Sequence, residues 1–242
     1  MQVFLYILLV FSFNLIQTIG ACAGSMLAMP FAIALLGADS ARVVINAVVL
    51  VSLLYPLLRC YRDINWKEVV KIGIFMTIGV ICAQPLIDVL YQPEILVLYS
   101  LLVIGAAVRN FFQKKVVTLP PLLDYLVLLA AGLIHGAFLS GGALLILYAM
   151  SHLRDKQEQR GTLSLIWLIL NSYMLVLFTK QGLYAGTNLR LVLIGLIPAI
   201  IGVLLGDRLQ KRLEGERFRF FTNCMVLLAG LFLLGNCLMK GL

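Results

Sequence analysis

Gly24 and Ser25, and further along His135, Ser140, Gly141 and Gly142, sit inside two stretches that otherwise carry almost no charge. Small residues of this kind let the backbone leave a helix, and the next helix then starts with free N–H groups that favour an anion. The hydroxyls of Ser25 and Ser140 would add neutral donors. Neutral donors suit transient binding, because a strong permanent charge would oppose release. His135 changes charge near neutral pH, and an ionisable group at membrane depth marks a pathway for substrate or protons. Asn46, Asn171 and Gln17 are polar residues in apolar runs, suited to lining a site or to joining helices. The structural alternative is that the glycines permit close helix packing and that His135 is neutral, bonded to carbonyls freed by a break. Arg42 and Arg160 open equivalent runs and read as interfacial anchors. Ser140 and His135 also invite comparison with a nucleophile and its base. They lie five apart on one segment, however, and Phe138-Leu139 does not form a G-x-S-G turn, so no catalytic residue is assigned.

The elements that must position these residues follow from length. Residues 122–153 would make a helix roughly 48 Å long, and residues 1–38 one of roughly 57 Å, against a hydrocarbon core of about 30 Å. Both segments must bend or double back, the first at Gly20 to Ser25 with Pro30 shortly after, the second at Gly136 to Gly142. Irregular backbone at this depth is tolerated only where protein or a water-filled cavity surrounds it. Six ordinary apolar runs complete the chain, at 43–58, 72–87, 95–108, 161–179, 191–206 and 220–239.

Composition places the chain in a bilayer. Of 242 residues 62% are hydrophobic and 12% charged, with mean hydropathy +1.03, which excludes a soluble domain with one core. The net charge of +8 lies in short connections between apolar runs, as in cytoplasmic loops, and does not indicate nucleic acid. The first run lacks a basic start and reads as a spanning or re-entrant segment rather than a cleaved signal peptide. Five scattered cysteines without a C-x-x-C pair indicate neither disulfides nor a metal site, and no cofactor motif is present.

Charge placement decides how residues 122–153 run. If they cross once, Lys and Arg divide ten to nine between the two sides; if they enter and leave on one side, the division is fifteen to four. The positive-inside rule selects the second arrangement, a re-entrant hairpin open to the cytoplasm. The halves also resemble each other. Ile78-Gly79-Val80 matches Ile201-Gly202-Val203, and Gly24 to Arg42 has the same spacing as Gly142 to Arg160. The expected fold is therefore an all-α polytopic membrane protein of two inverted repeats, residues 1–115 and 116–242. Each would be a broken, re-entrant segment plus three spans, together one transmembrane domain. Inverted repeats with broken helices meeting near the midplane are the architecture of secondary transporters.

The motifs carry a family resemblance. Ala23-Gly24-Ser25 with Pro30, Ile64-Asn65-Trp66-Lys67, Gly141-Gly142-Ala143, Gly161-Thr162-Leu163-Ser164, and Gly202-x-x-x-Gly206 followed by Asp207-Arg208-Leu209-Gln210-Lys211-Arg212 resemble the TauE/SafE family of sulfite and organosulfonate exporters over nearly the whole chain. The chain departs from that pattern where the glycine triplets become Ala-Gly-Ser and Gly-Gly-Ala, and where Tyr148 replaces a second proline. The resemblance implies a cell-membrane carrier for a small anion, such as sulfite, an organosulfonate or a related sulfur oxyanion. Protons are a candidate second substrate. A channel of the same fold is the alternative. The expected binding residues are Gly24, Ser25, Asn46, His135, Ser140, Gly141, Gly142 and Asn171.

Overall fold

The computed structural model of the chain describes residues 2–20, 23–90, 92–112, 120–210 and 215–239. Its α-helices are α1 (Gln2–Gly20), α2 (Ala23–Leu36), α3 (Ala38–Arg59), α4 (Trp66–Ala83), α5 (Ile87–Leu90), α6 (Pro93–Phe112), α7 (Pro121–Phe138), α8 (Gly142–His152), α9 (Lys156–Lys180), α10 (Gly186–Gln210) and α11 (Gly215–Met239). Short 3-10 turns join α3 to α4 and α4 to α5. Five of the six ordinary apolar runs fall within single α-helices, and 72–87 passes from α4 through the 3-10 turn into α5. Among the described residues, five segments are long and apolar enough to cross a membrane: Ala38–Arg59, Trp66–Leu90, Pro121–Phe138, Gln157–Lys180 and Gly186–Leu209.

The distribution of side chains is that of a protein in lipid. Large apolar residues such as Leu58, Phe112, Leu122 and Ile197 face outward, while Asn14, Thr18, Asn46, Asp124, His135, Ser140, Thr162, Ser164 and Asn171 are buried. Lipid cannot pair polar groups, so they gather where the protein can.

Helix ends at one face of the bundle are built by side-chain caps. Asp155 accepts from the N–H groups of Gln157 and Glu158 at 2.8 and 2.9 Å, and Glu158 accepts in return from Arg154 N–H at 3.0 Å, a reciprocal cap that fixes the start of α9. Asn65 accepts from Glu68 N–H to start α4. The same Asn65 joins the two caps, donating its N–H to Thr162 Oγ1 at 3.0 Å and its amide to Glu158 at 2.6 Å. Nearby, Cys60 Sγ donates to Gln157 Oε1 at 3.1 Å. The α3–α4 and α8–α9 connections are thus side by side at one end of the bundle.

Both over-long segments are folded back. In the second, α7 ends at Phe138 and α8 returns along it, so that His152 Nε2 at the end of α8 lies 3.1 Å from Asp124 Oδ2 in the first turn of α7. The pivot falls inside the expected window of Gly136 to Gly142, but not on a glycine. Gly136 does not bend; it lies inside α7, and the residue in the left-handed region is Leu139, with φ 51°. Leu139 N–H bonds the His135 carbonyl at 2.8 Å and closes the helix in the way a C-terminal glycine usually does. The nearby glycines serve contact instead: a Cβ at Gly132 would strike the Met76 carbonyl, and one at Gly136 would lie 2.8 Å from Ala83 Cβ. In the first segment Ala21 and Cys22, between α1 and α2 in the chain, lie outside the described residues. Gly24, next on α2, is pressed against the Phe13 carbonyl of α1, which folds α2 back along α1.

Two close crossings hold the hairpins. Along α4 and α7, Gly79 faces Leu129 and Leu133; along α10 and α1, Gly202 faces Phe11 and Leu15. The contacted pairs lie 118 positions apart in the chain. In both crossings the contacts advance together along the two helices, so each pair runs parallel. Between them α3 packs on α9, and α6 packs on α11.

Candidate functional site

The face of α9 that meets α3 and α7 carries Ser164, Trp167 and Asn171, spaced i, i+3 and i+7 so that they form one stripe. Asn46 of α3 reaches across and donates to the Asn171 carbonyl at 3.1 Å, and Asn171 donates to the Trp167 carbonyl at 2.7 Å. From α7 the ring of His135 packs against the Trp167 indole, centroids 4.7 Å apart. All five side chains are at least nineteen-twentieths buried.

What distinguishes this group is its unmet hydrogen bonding. Both ring nitrogens of His135, the Trp167 Nε1–H, the Ser164 hydroxyl and the Oδ1 atoms of Asn46 and Asn171 have no protein partner. Each such atom costs about 1 to 3 kcal/mol when buried without a partner, and native interiors contain few of them. His135, Trp167, Asn171 and Asn46 are linked by direct contacts, and such a group of unpartnered atoms suits a binding site for a small polar solute. The chemistry is mixed: Trp167 only donates, Ser164 and the imidazole donate and accept, and the amide oxygens accept.

The N-terminus of α8 opens onto the same region. Gly141 is its cap residue, with no side-chain cap, and a Cβ there would strike the Ala131 carbonyl and lie 3.0 Å from His135 Cβ. Gly142 is the first, buried residue of α8. Of the residues singled out in the sequence, the structure therefore brings together His135, Asn46, Asn171, Gly141 and Gly142. Gly24 and Ser25 belong to the other hairpin, where Gly24 N–H donates to Gln17 Oε1 at 2.9 Å and Ser25 is half-buried. Ser140 is buried but its oxygen accepts from Tyr99 Oη at 2.7 Å, in a pair fastened by stacking of Tyr99 on Phe138 at 4.2 Å.

Trp167, not singled out in the sequence, joins the candidate site by packing on His135, and Ser164 shares its helix face by register. The signal was present in their helical register with Asn171, but nothing in the chain says which face of α9 meets α7. The arginines also change role. Arg42 is buried with its guanidinium 4.9 Å above the Phe178 ring, not anchored at an exposed interface. Arg160 Nη2 donates to the Thr18 carbonyl at 3.2 Å in the last turn of α1, where a cation also meets the negative end of the helix. Beyond Asn46, Tyr184 closes this part of the bundle by donating to the Val43 carbonyl at 3.1 Å. Burial pushes the Tyr184 hydroxyl upward from its ordinary range, and its hydrogen bond with Asn46 opposes that rise.

A cavity of about 400 Å³ between α1, α2 and α11 is lined by Leu5, Leu9, Phe13, Leu27, Phe31 and Phe232 among others. Its walls are apolar apart from Ser12, a single hydroxyl that makes a poor anion site. Close packing also accounts for the motif glycines away from the site: Gly161 abuts the Cys60 carbonyl, and Gly202 and Gly206 abut α1 at Phe11 to Thr18.

No curated protein and no solved structure matches the chain. A family model described as sulfite exporter TauE/SafE matches residues 6–233. That match spans the hairpins, the crossings and the polar cluster alike, and the chain belongs to the TauE/SafE family of sulfite exporters, a family of membrane transporters.

Proposed function

We propose that the protein is a secondary carrier in the plasma membrane that moves a small sulfur-containing anion, with sulfite or an organosulfonate as the first candidates, and that binds its substrate at the polar cluster of α3, α7 and α9. The observation that carries this reading is the convergence of unpartnered polar atoms on His135, Trp167, Ser164, Asn46 and Asn171 in the membrane interior. Neutral donors beside an uncapped helix N-terminus suit an oxyanion that must be released again. The amide oxygens favour a monoanion that still carries a proton, such as hydrogensulfite, because they would accept that proton's hydrogen bond and repel a bare dianion.

The repeat reading has structural support. Residues 1–115 and 116–242 exchange partners, α1 with α10 and α7 with α4, through glycines at matching positions. Three crossings per repeat would give the halves opposite orientation, and the substrate cluster would then lie beside the axis relating them, where α3 meets α9. The face holding Arg62, Arg154 and Lys67 would be cytoplasmic by the positive-inside rule.

Uptake of labelled sulfite, sulfonate and thiosulfate by proteoliposomes, with and without a pH gradient, tests the reading. Saturable flux that responds to the pH gradient is expected. Absence of flux for all three anions would overturn it, and a conductive, unsaturated current would make the protein a channel.

A further inference from the structure

Asp124, His152, Tyr148 and Glu68 form a second polar cluster at the base of the α7–α8 hairpin, apart from the substrate cluster. Asp124 is buried, with Oδ2 3.1 Å from His152 Nε2 and Oδ1 without a partner. The His152 ring stacks on Tyr148, centroids 4.1 Å apart, and Nδ1 lies 3.0 Å from the Tyr148 carbonyl and 2.9 Å from Ser151 Oγ. Tyr148 Oη donates to Glu68 Oε2 of α4 at 2.6 Å. Lys71 of α4 lies over the rings of Tyr125 and Tyr148, 5.4 and 5.0 Å from their centroids. The titratable groups facing the pair are therefore Glu68 and Lys71 from α4, Tyr125 from α7 and Tyr148 from α8.

This arrangement can take up and give back one proton without losing a hydrogen bond. The Ser151 hydroxyl lies 2.8 Å from the Tyr148 carbonyl, to which it donates, and 2.9 Å from Nδ1; with neutral His152, Nε2–H donates to the Asp124 carboxylate and the Ser151 hydroxyl can turn its one proton to Nδ1. When a proton arrives at Nδ1, that nitrogen donates to the Tyr148 carbonyl and Ser151 reorients, while Nε2–H still faces Asp124. Uptake of that proton brings the summed formal charge of Asp124, Glu68, Lys71 and His152 from minus one to zero. His152 is about a quarter exposed, whereas Asp124 is buried, so the entry route for the proton is on the imidazole side.

We propose that Asp124 and His152 form a proton-binding site that fastens the two ends of the α7–α8 hairpin, and that this site, not His135, takes the coupling proton. The coupling role rests on the carrier reading above; the proton site does not. Since the bond to Asp124 is stronger when the imidazole is charged, the hairpin base is held more tightly in acid and loosens at higher pH.

Nitroxide labels at Leu122 and Arg154, both exposed, would bracket the pair in an otherwise Cys-free full-length chain in nanodiscs, without substrate. Distance distributions between pH 5.5 and 8.5 should show one short population in acid and a longer one that grows about tenfold at high pH. Asp124→Asn and His152→Gln should each abolish that dependence, with thermal melting used to confirm folding. A distribution in the parent protein that does not change with pH would overturn the proton site, as would full pH dependence in folded His152→Gln. Should the distances respond while sulfite flux in proteoliposomes is absent, the carrier reading fails and the proton site stands.

Discussion

The Trp167 indole and the His135 imidazole are neighbours 4.7 Å apart, contributed by α9 and α7, and neither has a protein partner for its ring nitrogens. Two aromatic rings in contact, both with unused polar edges, form the centre of the candidate site.

Trp167→Phe keeps the ring contact and removes the only indole donor in the cluster. A neutral hydrogen bond contributes about 0.5 to 1.5 kcal/mol, so the half-saturating sulfite concentration should rise roughly two- to twelvefold. Thermal stability should not fall, because the deleted donor has no protein partner. Unchanged affinity would take Trp167 out of the site.

His135→Gln and His152→Gln separate substrate contact from proton coupling. Glutamine retains hydrogen bonding at His135 but does not titrate. Flux through His135→Gln should show weakened affinity and an intact response to a pH gradient, while His152→Gln should show the converse. Loss of the pH response in His135→Gln would return the coupling proton to the membrane interior.

The crossing glycines give a stability prediction with an internal control. A Cβ at Gly79 would meet the Leu129 carbonyl and lie 2.7 Å from Leu133 N, whereas one at Gly105 of α6 meets nothing within 4 Å. Overpacking costs about 1 to 3 kcal/mol or more where backbone cannot yield. Gly79→Val should therefore lower the melting temperature and the membrane yield, and Gly105→Ala should leave both unchanged or slightly raised.

Topology can be read with cysteines placed at Arg62 and Arg154, which belong to connections that touch through Asn65 and Glu158. In a Cys-free background both should react with an impermeant maleimide from the same, cytoplasmic side, and a cysteine at Asn188, between α9 and the body of α10, from the other. Opposite-sided labelling of Arg62 and Arg154 positions would contradict the folded-back α7–α8 segment.

Cys60, just past the end of α3, gives a pH prediction. Burial pushes its thiol above the ordinary range, Arg160 pulls it down, and Asp63 pushes it up. The thiolate is the reactive form, so alkylation in a Cys60-only protein should be slow near pH 7 and accelerate only at pH above the usual thiol midpoint of about 8.5. Arg160→Gln removes the opposing cation and should move that acceleration to still higher pH. Fast labelling at neutral pH would mean that Cys60 is exposed in the working protein.

Length against bilayer thickness, a property of the sequence alone, required residues 1–38 and 122–153 to break, and the asymmetry of Lys and Arg required the second to return to its own side. Both are one-dimensional constraints, set by how far a helix extends and by which connections carry charge. The window of the pivot, Gly136 to Gly142, was legible, but the residue was not: four nearby glycines advertise a bend, yet Leu139 makes it, because Gly132, Gly136 and Gly141 are needed where backbones of α4, α7 and α8 touch. Asn46, His135 and Asn171 could be marked as polar residues out of place in apolar runs, whereas Trp167 and Ser164 look like ordinary members of a span. Their role depends on the rotation of α9 against α3 and α7, and the pairing of Asp124 with His152 depends on the return path of α8. Rotation and return path are set by side-chain packing among helices far apart in the chain, and no local pattern of residues encodes them.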